Sequence, residues 1–236
     1  SDVIDFMNKN SLPLVIKPDL GTGSEGIAIL HNSEEVFSYL QETSLFKANQ
    51  PLDRQIESYI EGTMYHINGF VNDGNVIACW PCVYPHQSIG MTMGKYASSY
   101  LLSLTNPLVA RLNRYAQEVL AALPTPSYTP FHLEVFINHA DEIIFCEIAS
   151  RIGGKGVRQS WETSFGFSLS QMFVHSQAGQ QDFFKIPPFP DRPFCLTGEI
   201  WFPTQPGRLG NIEQQCPFPW VKDYQAFYKT GDIIHQ

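Results

Sequence analysis

Short apolar blocks, alternating or continuous and bounded by glycine, proline and asparagine, dominate this chain, and helical periodicity is confined to a few stretches. Pro13-Leu-Val-Ile-Lys-Pro18 and Ile27-Ala-Ile-Leu30 predict two short strands with a glycine-rich loop between them. Residues 32–42 predict an amphipathic helix, with a capping residue, early acids, and Val36, Phe37 and Leu40 on one side. Strands are predicted over 55–62 and 65–71, then a turn at Asn72-Asp-Gly-Asn75 and a strand over 76–84. Residues 85–100, with Gly90 and Gly94, read as a loop. Asn106-Pro107 opens a helix to residue 123 whose stripe is Leu108, Leu112, Tyr115, Ala116, Val119 and Leu123. Strands over 131–137 and 143–149 follow, then a helix over 161–178, a proline-rich connector over 187–193 and further strands near 195–202.

The pair of strands around residue 140 carries the most chemistry. A hairpin centred on Ala140 and Asp141, with a two- or four-residue loop, sets Glu134 opposite Glu147. Cross-strand partners lie ~5 Å apart and like charges there destabilise each other, so a cation between them is expected. Oxygen-only ligands suit Mg²⁺ or Mn²⁺, whose remaining ligands are typically water and phosphate. The bland alternative is a solvated acidic pair on an exposed hairpin.

Composition narrows the partners. A chain of 236 residues with 43% hydrophobic content can bury one substantial core or two modest ones. A formal net charge of −8 argues against a non-specific nucleic-acid or anionic-membrane surface. No run of about eighteen apolar residues occurs, and the first residues lack a signal-peptide order, so a cytoplasmic location is expected. Five cysteines do not form a secreted disulfide framework. Cys79-Trp-Pro-Cys82 has CxxC spacing but lies inside an apolar run without a second pair, which favours packed thiols over redox or zinc chemistry.

Asp19-Leu-Gly-Thr-Gly-Ser-Glu-Gly26 contains GxGxxG. A dinucleotide fingerprint needs a helix at the last glycine, and a Walker A loop needs Lys-Ser or Lys-Thr there; the chain continues Ile27-Ala28. Protein-kinase signatures are also missing. Two readings fit the loop by itself: a flap whose amides cover phosphates, with Lys17 on the strand leading in, or a plain glycine hairpin with a surface lysine.

Lys17-Pro18 with the glycine flap, Glu57-Ser-Tyr-Ile-Glu-Gly62, His132-Leu-Glu134 and Glu147-Ile-Ala-Ser-Arg-Ile-Gly-Gly154, in that order and spacing, resemble the ATP-grasp superfamily. The last motif is similar to the branch containing the L-amino acid (dipeptide) ligases. The resemblance implies an α+β fold in which two α+β subdomains grip ATP. Residues 1–60 would form the small lid subdomain, 61–180 the large subdomain with the metal hairpin, and 181–236 a β-rich extension. It implies an ATP-dependent carboxylate-amine ligase acting through an acyl phosphate, with small-molecule carboxylate and amine as partners; a homodimer is compatible with it. Lys17 and the amides around Gly21, Thr22, Gly23, Ser24 and Gly26 would meet the phosphates, and Glu57, Ser58 and Ile60 the adenine. Glu61 and Gly62 look like hinge residues. Glu134 and Glu147 would hold Mg²⁺ (or Mn²⁺), and Arg151, placed two steps past Ala149 on the same strand face, would steady the transferred phosphoryl. Lys155 and Arg158, beside Arg151, and His86 and Lys95 in the loop are candidates for the second substrate. His132 is either a site residue or a satisfied structural histidine.

Two departures stand out. Family members often carry an acid at Met64 for the ribose and an asparagine at Ala149 for the metal. The family also places an N-terminal domain with a further basic residue before the strand of Lys17, so the complete site is expected to need that portion. A biotin-carboxylase-like carboxylase and a non-catalytic ATP-binding module are the alternatives, the first favoured by Pro206-Gly-Arg-Leu-Gly210 and Lys229-Thr-Gly-Asp232.

Overall fold

The computed structural model describes residues 2–19, 21, 23–46, 54–86, 89, 95–180, 184 and 190–235; Thr22 of the flap lies outside them. Helices and antiparallel sheets occupy separate layers, the α+β arrangement expected. β1 (Leu14–Pro18) is the middle of a three-stranded sheet, between β2 (Ala28–Leu30) and β3 (Arg54–Ser58). Its inward residues Leu14 and Ile16 are buried, and Ile16 packs with Leu30 and Val36 against helices α1 (Asp2–Lys9) and α2 (Ser33–Phe46). Val15 and Lys17 therefore lie on the opposite face. The start of α2 is capped from both sides: the Glu35 amide donates to Asn32 Oδ1 (2.9 Å), and Glu35 Oε2 accepts from the His31 amide (2.8 Å). β3 stops at Ser58, short of the expected strand end at residue 62, and the Tyr59 amide donates to Pro13 O at 3.1 Å.

The larger sheet has six antiparallel strands in the order β8 (Ile143–Ala149), β7 (Tyr128–Asn138), β4 (Gly62–Asn72), β5 (Asn75–His86), β6 (Ala97–Leu101) and β9 (Gly198–Trp201). One face carries Ile67, Val71, Val83, Phe131, Leu133 and Val135 and is covered by Leu112, Ala116 and Leu120 of α3 (Leu108–Ala122). The other carries Phe70, Ala78, Trp80 and Cys82 and is covered by Trp161 and Phe165 of α4 (Val157–Phe165) and Leu169 and Met172 of α5 (Leu169–Gln177). With both faces of the centre covered, β4 is buried from His66 to Val71. The helix expected over 161–178 is two helices. Gly166 ends the first at φ 73°, and Ser168 Oγ accepts from the Gln171 amide (3.4 Å) to start the second. β10 (Gly207–Arg208) and β11 (Ile233–Ile234) pair separately.

Cys79 and Cys82 are free thiols. Three residues apart on β5, they point to opposite faces, Cys79 toward the α3 side and Cys82 into the α4/α5 core, so they share neither a disulfide nor a metal. Among the described residues no helix is long and apolar enough to cross a membrane.

Candidate active site

Glu134 and Glu147 are direct cross-strand partners, as expected, but the route differs. Near the turn the register pairs Ile137 with Ile143, centred on Ala140 alone, and a bulge at Cys146 restores the Glu134–Glu147 pairing. The turn is held by Asn138, whose Oδ1 accepts from the amides of Ala140 (3.0 Å) and Glu142 (2.9 Å).

The two carboxyls have unlike surroundings. Glu134 is largely enclosed; Tyr84 Oη donates to its Oε1 at 2.9 Å, and His132 Nε2 lies 3.3 Å from the same oxygen. Burial pushes the Glu134 carboxyl up, but His132, Tyr84 and Arg151 outweigh it and hold it below its ordinary value. Glu147 is more open. Burial and then the facing Glu134 raise its pKa, which Lys17, His132 and Arg151 only partly oppose. The pair is thus electrostatically unfavourable as it stands.

Lys17 approaches from the small sheet. Its Nζ is 2.8 Å from Glu57 Oε1, and its charge is felt at Cys146 and Glu147 on β8, so Lys17 of the small sheet and Glu147 of the large one belong to one electrostatic cluster. Burial works against the ammonium, but the hydrogen bond to Glu57, with Cys146 and Glu147, raises its pKa. Beyond β1, Gly23, Ser24 and Gly26 have positive φ, and Arg54 Nη1 donates to Gly26 O (3.1 Å).

Arg151 does not continue β8 as expected. The strand ends at Ala149 and Arg151 sits in a bend, exposed, donating to Ile152 O at 3.0 Å; its charge still acts on both carboxyls. The glycines after it have steric reasons. A Cβ on Gly153 would stand 2.8 Å from His132 Nδ1, and one on Gly156 would stand 1.9 Å from Glu199 Oε2. Between them Lys155 adopts a positive φ of 54°. Burial lowers its pKa, opposed by Glu199 and Glu134, so it belongs to the same cluster.

His86 instead pairs with Tyr96 (2.7 Å), and Arg158 lies 4.0 Å from Glu162 along α4. Lys95 is exposed. Sequence reasoning missed Tyr84, the buried line of Ser99, His66 and Asn68 leading to His132, and Glu199. Glu199 is opposite Ser99 on β9, accepts from Gly156 and Trp201, and is raised mainly by burial. The available signal was polar residues at alternate positions 66 and 68 inside an otherwise apolar strand.

Comparison with known proteins places the fold and the family. The L-arginine-specific L-amino acid ligase of Bacillus subtilis is 26% identical over 233 residues, 95% of this chain and 54% of that protein. The solved L-amino acid ligase of Bacillus licheniformis superposes with a TM-score of 0.72 at 19% identity, covering 99% of this chain and 56% of that one. The biotin carboxylase domain of Hydrogenobacter thermophilus 2-oxoglutarate carboxylase, solved with MgADP and bicarbonate, gives a TM-score of 0.57 at 17% identity over 74% of this chain and 38% of that one. The chain spans about half the length of the two ligases it matches. Residues 10–159 match the family described as the ATP-grasp domain, and with that match covering most of its length the chain belongs to the ATP-grasp family.

Proposed function

We propose that the chain supplies the nucleotide- and metal-binding part of an ATP-dependent ligase that joins a carboxylate to an amine through an acyl phosphate. The observation that carries this reading is the meeting of two elements from different sheets: Glu134 facing Glu147, and Lys17 close enough for its charge to act on Glu147. Two opposed carboxylates suit a hard cation, and among the described residues no group of three or more His, Cys, Asp or Glu could cage a metal by itself. That donor set fits Mg²⁺ completed by water and phosphate. When bound, the cation would neutralise charge on the β- and γ-phosphates.

In this reading Lys17 exchanges part of its contact with Glu57 for phosphate oxygens, and the amides of Gly21, Gly23, Ser24 and Gly26 close over them. Glu57, Ser58 and Ile60 border the adenine. Arg151 faces the transferred phosphoryl. A carboxylate oxygen of the first substrate attacks the γ-phosphorus and ADP leaves. The amine nitrogen then attacks the acyl carbon, phosphate leaves, and the nitrogen loses a proton. Positioning and charge neutralisation supply the catalysis. Lys155, near Glu134 and Glu199, is the contact for the second substrate; His86 and Arg158 receive no role, because their contacts lie elsewhere. The names of the two ligases make L-amino acids the first acids and amines to try.

The test is ADP release by the protein carrying this chain. Release that needs Mg²⁺ and an amino acid, with a hydroxamate formed when hydroxylamine replaces the amine, is expected. Release supported by bicarbonate alone would indicate a carboxylase, and tight ATP binding without turnover a non-catalytic module.

A further inference from the structure

Behind Glu134 a single line of buried hydrogen bonds joins residues of β6, β4 and β7, passing over β5 between the first two. Ser99 Oγ lies 2.5 Å from His66 Nε2, Asn68 Nδ2 2.8 Å from His66 Nδ1, and His132 Nδ1 2.8 Å from Asn68 Oδ1; His132 Nε2 then meets Glu134 Oε1. Ser99, His66, Asn68 and His132 are 6%, 1%, 1% and 4% exposed. Polar groups this enclosed are costly unless every member is satisfied.

The amide in the middle fixes the direction of the line. Asn68 NH₂ donates to His66 Nδ1, so His66 carries its proton on Nε2 and donates to Ser99. The Asn68 carbonyl accepts from His132 Nδ1–H, which turns the other ring nitrogen toward Glu134. An amide conducts protons poorly, so the line orients groups and does not relay protons. Gly153, beside the His132 ring, closes the remaining side. Tyr84 Oη donates to Oε1, and His132 Nε2, 3.3 Å away, donates to the same oxygen when the ring carries both protons, so that Oε1 is engaged and the plane of the carboxylate is set.

We propose that Asn68 is a positioning residue for the metal: through His132 it fixes Glu134 so that Oε2 is the oxygen presented to a divalent cation shared with Glu147. This inference rests on the reading that the two glutamates hold the metal of a nucleotide complex. Partners behind a metal ligand commonly affect metal affinity as strongly as this requires.

The test titrates Mn²⁺ into the protein carrying this chain at saturating ATP, followed by paramagnetic resonance, alongside metal-free nucleotide affinity and melting temperature. Asn68→Leu, which removes both arms of the amide, is expected to raise the Mn²⁺ dissociation constant about tenfold or more while metal-free nucleotide affinity stays unchanged. Asn68→Asp is expected to restore most of the metal affinity, because its two oxygens can accept from His132 and from His66 in its other tautomer. Should Asn68→Leu fail to fold, Ser99→Ala carries the test, with an expected weakening of about threefold in Mn²⁺ affinity alone. A folded Asn68→Leu or Ser99→Ala with wild-type Mn²⁺ affinity overturns the inference, as does parallel loss of metal affinity, nucleotide affinity and melting temperature. Wild-type protein carrying this chain that binds no Mn²⁺ with ATP overturns the metal-site reading as well.

Discussion

Replacing Glu147 by glutamine should strengthen the fold while removing the metal site. The side chains are nearly isosteric, and the change deletes one of two like charges that face each other across β7 and β8. At ~5 Å, Coulomb's law gives about 3 kcal/mol for an effective dielectric of 20 and about 0.8 kcal/mol in water. Glu147 is open to solvent and partly offset by Lys17 and Arg151, so the lower end applies, and ~0.5–1 kcal/mol is expected. For a chain of this size that is a rise of about 1–4 °C in melting temperature. The sign with pH follows from the raised Glu147 pKa. A carboxyl whose folded pKa exceeds its unfolded value carries its full penalty above the folded pKa; the penalty fades as pH falls through that value and is gone below the ordinary value of 4.5. The advantage of Glu147→Gln should therefore be present at neutral pH in EDTA and vanish near pH ~3.5. Mg²⁺ and ATP should reverse the ranking. Wild type gains about 2.7 kcal/mol when ligand stands at a hundred times its dissociation constant, and the variant gains little. Urea denaturation under the three conditions measures all of this. A variant no more stable than wild type in EDTA at neutral pH, or one whose advantage persists in acid, would refute the idea of an uncompensated carboxylate pair.

Lys17→Met should cost little stability, since its partner Glu57 is half-exposed, but weaken ATP binding by ~10-fold or more in calorimetry. Gly153→Ala should destabilise the chain by ~1–3 kcal/mol in chemical denaturation, because the added carbon meets a His132 ring already fixed by Asn68, and both methyls of Val157 at 3.0 Å. Thiol labelling of the native chain should modify the exposed Cys195 first, while Cys79, pushed up to about 12 by burial, and Cys82, also raised by burial, react only on unfolding.

Most strands were legible as short apolar runs bounded by Gly, Pro, Asn and Asp, and the Glu134–Glu147 hairpin because a turn rich in Asn and Asp separates two such runs. β6 was not legible: Ala97–Leu101 lies in the stretch read as a loop, and its strand partners β5 and β9 are fixed by the sheet and not by local pattern. The bulge at Cys146 was not legible. One extra residue in a strand leaves no compositional mark, and the glutamates still pair only because the turn is centred half a step from where it was expected. Gly166-Phe-Ser168 did contain a helix stop and start, but continuous apolar periodicity on both sides masked it. The position of Arg151 in a bend could not be read from alternation, which assumes that the strand goes on. Ser99, His66 and Asn68 escaped because a hydrogen-bonded line is assembled from two non-adjacent strands, β4 and β6, that no local pattern links. Glu199 arrives from a strand more than forty residues downstream of the hairpin.

The central claim is that the glutamate pair of the large sheet and Lys17 of the small sheet form one metal-dependent nucleotide site. Calorimetric titration of the chain with ATP, with and without Mg²⁺, tests it most directly when Glu147→Gln and Lys17→Met are run beside wild type. Binding by wild type that requires Mg²⁺, is lost in Glu147→Gln and is weakened in Lys17→Met is the expected result. Folded wild-type chain that binds ATP equally well without Mg²⁺, or in which Glu147→Gln leaves the Mg²⁺ dependence unchanged, would contradict it.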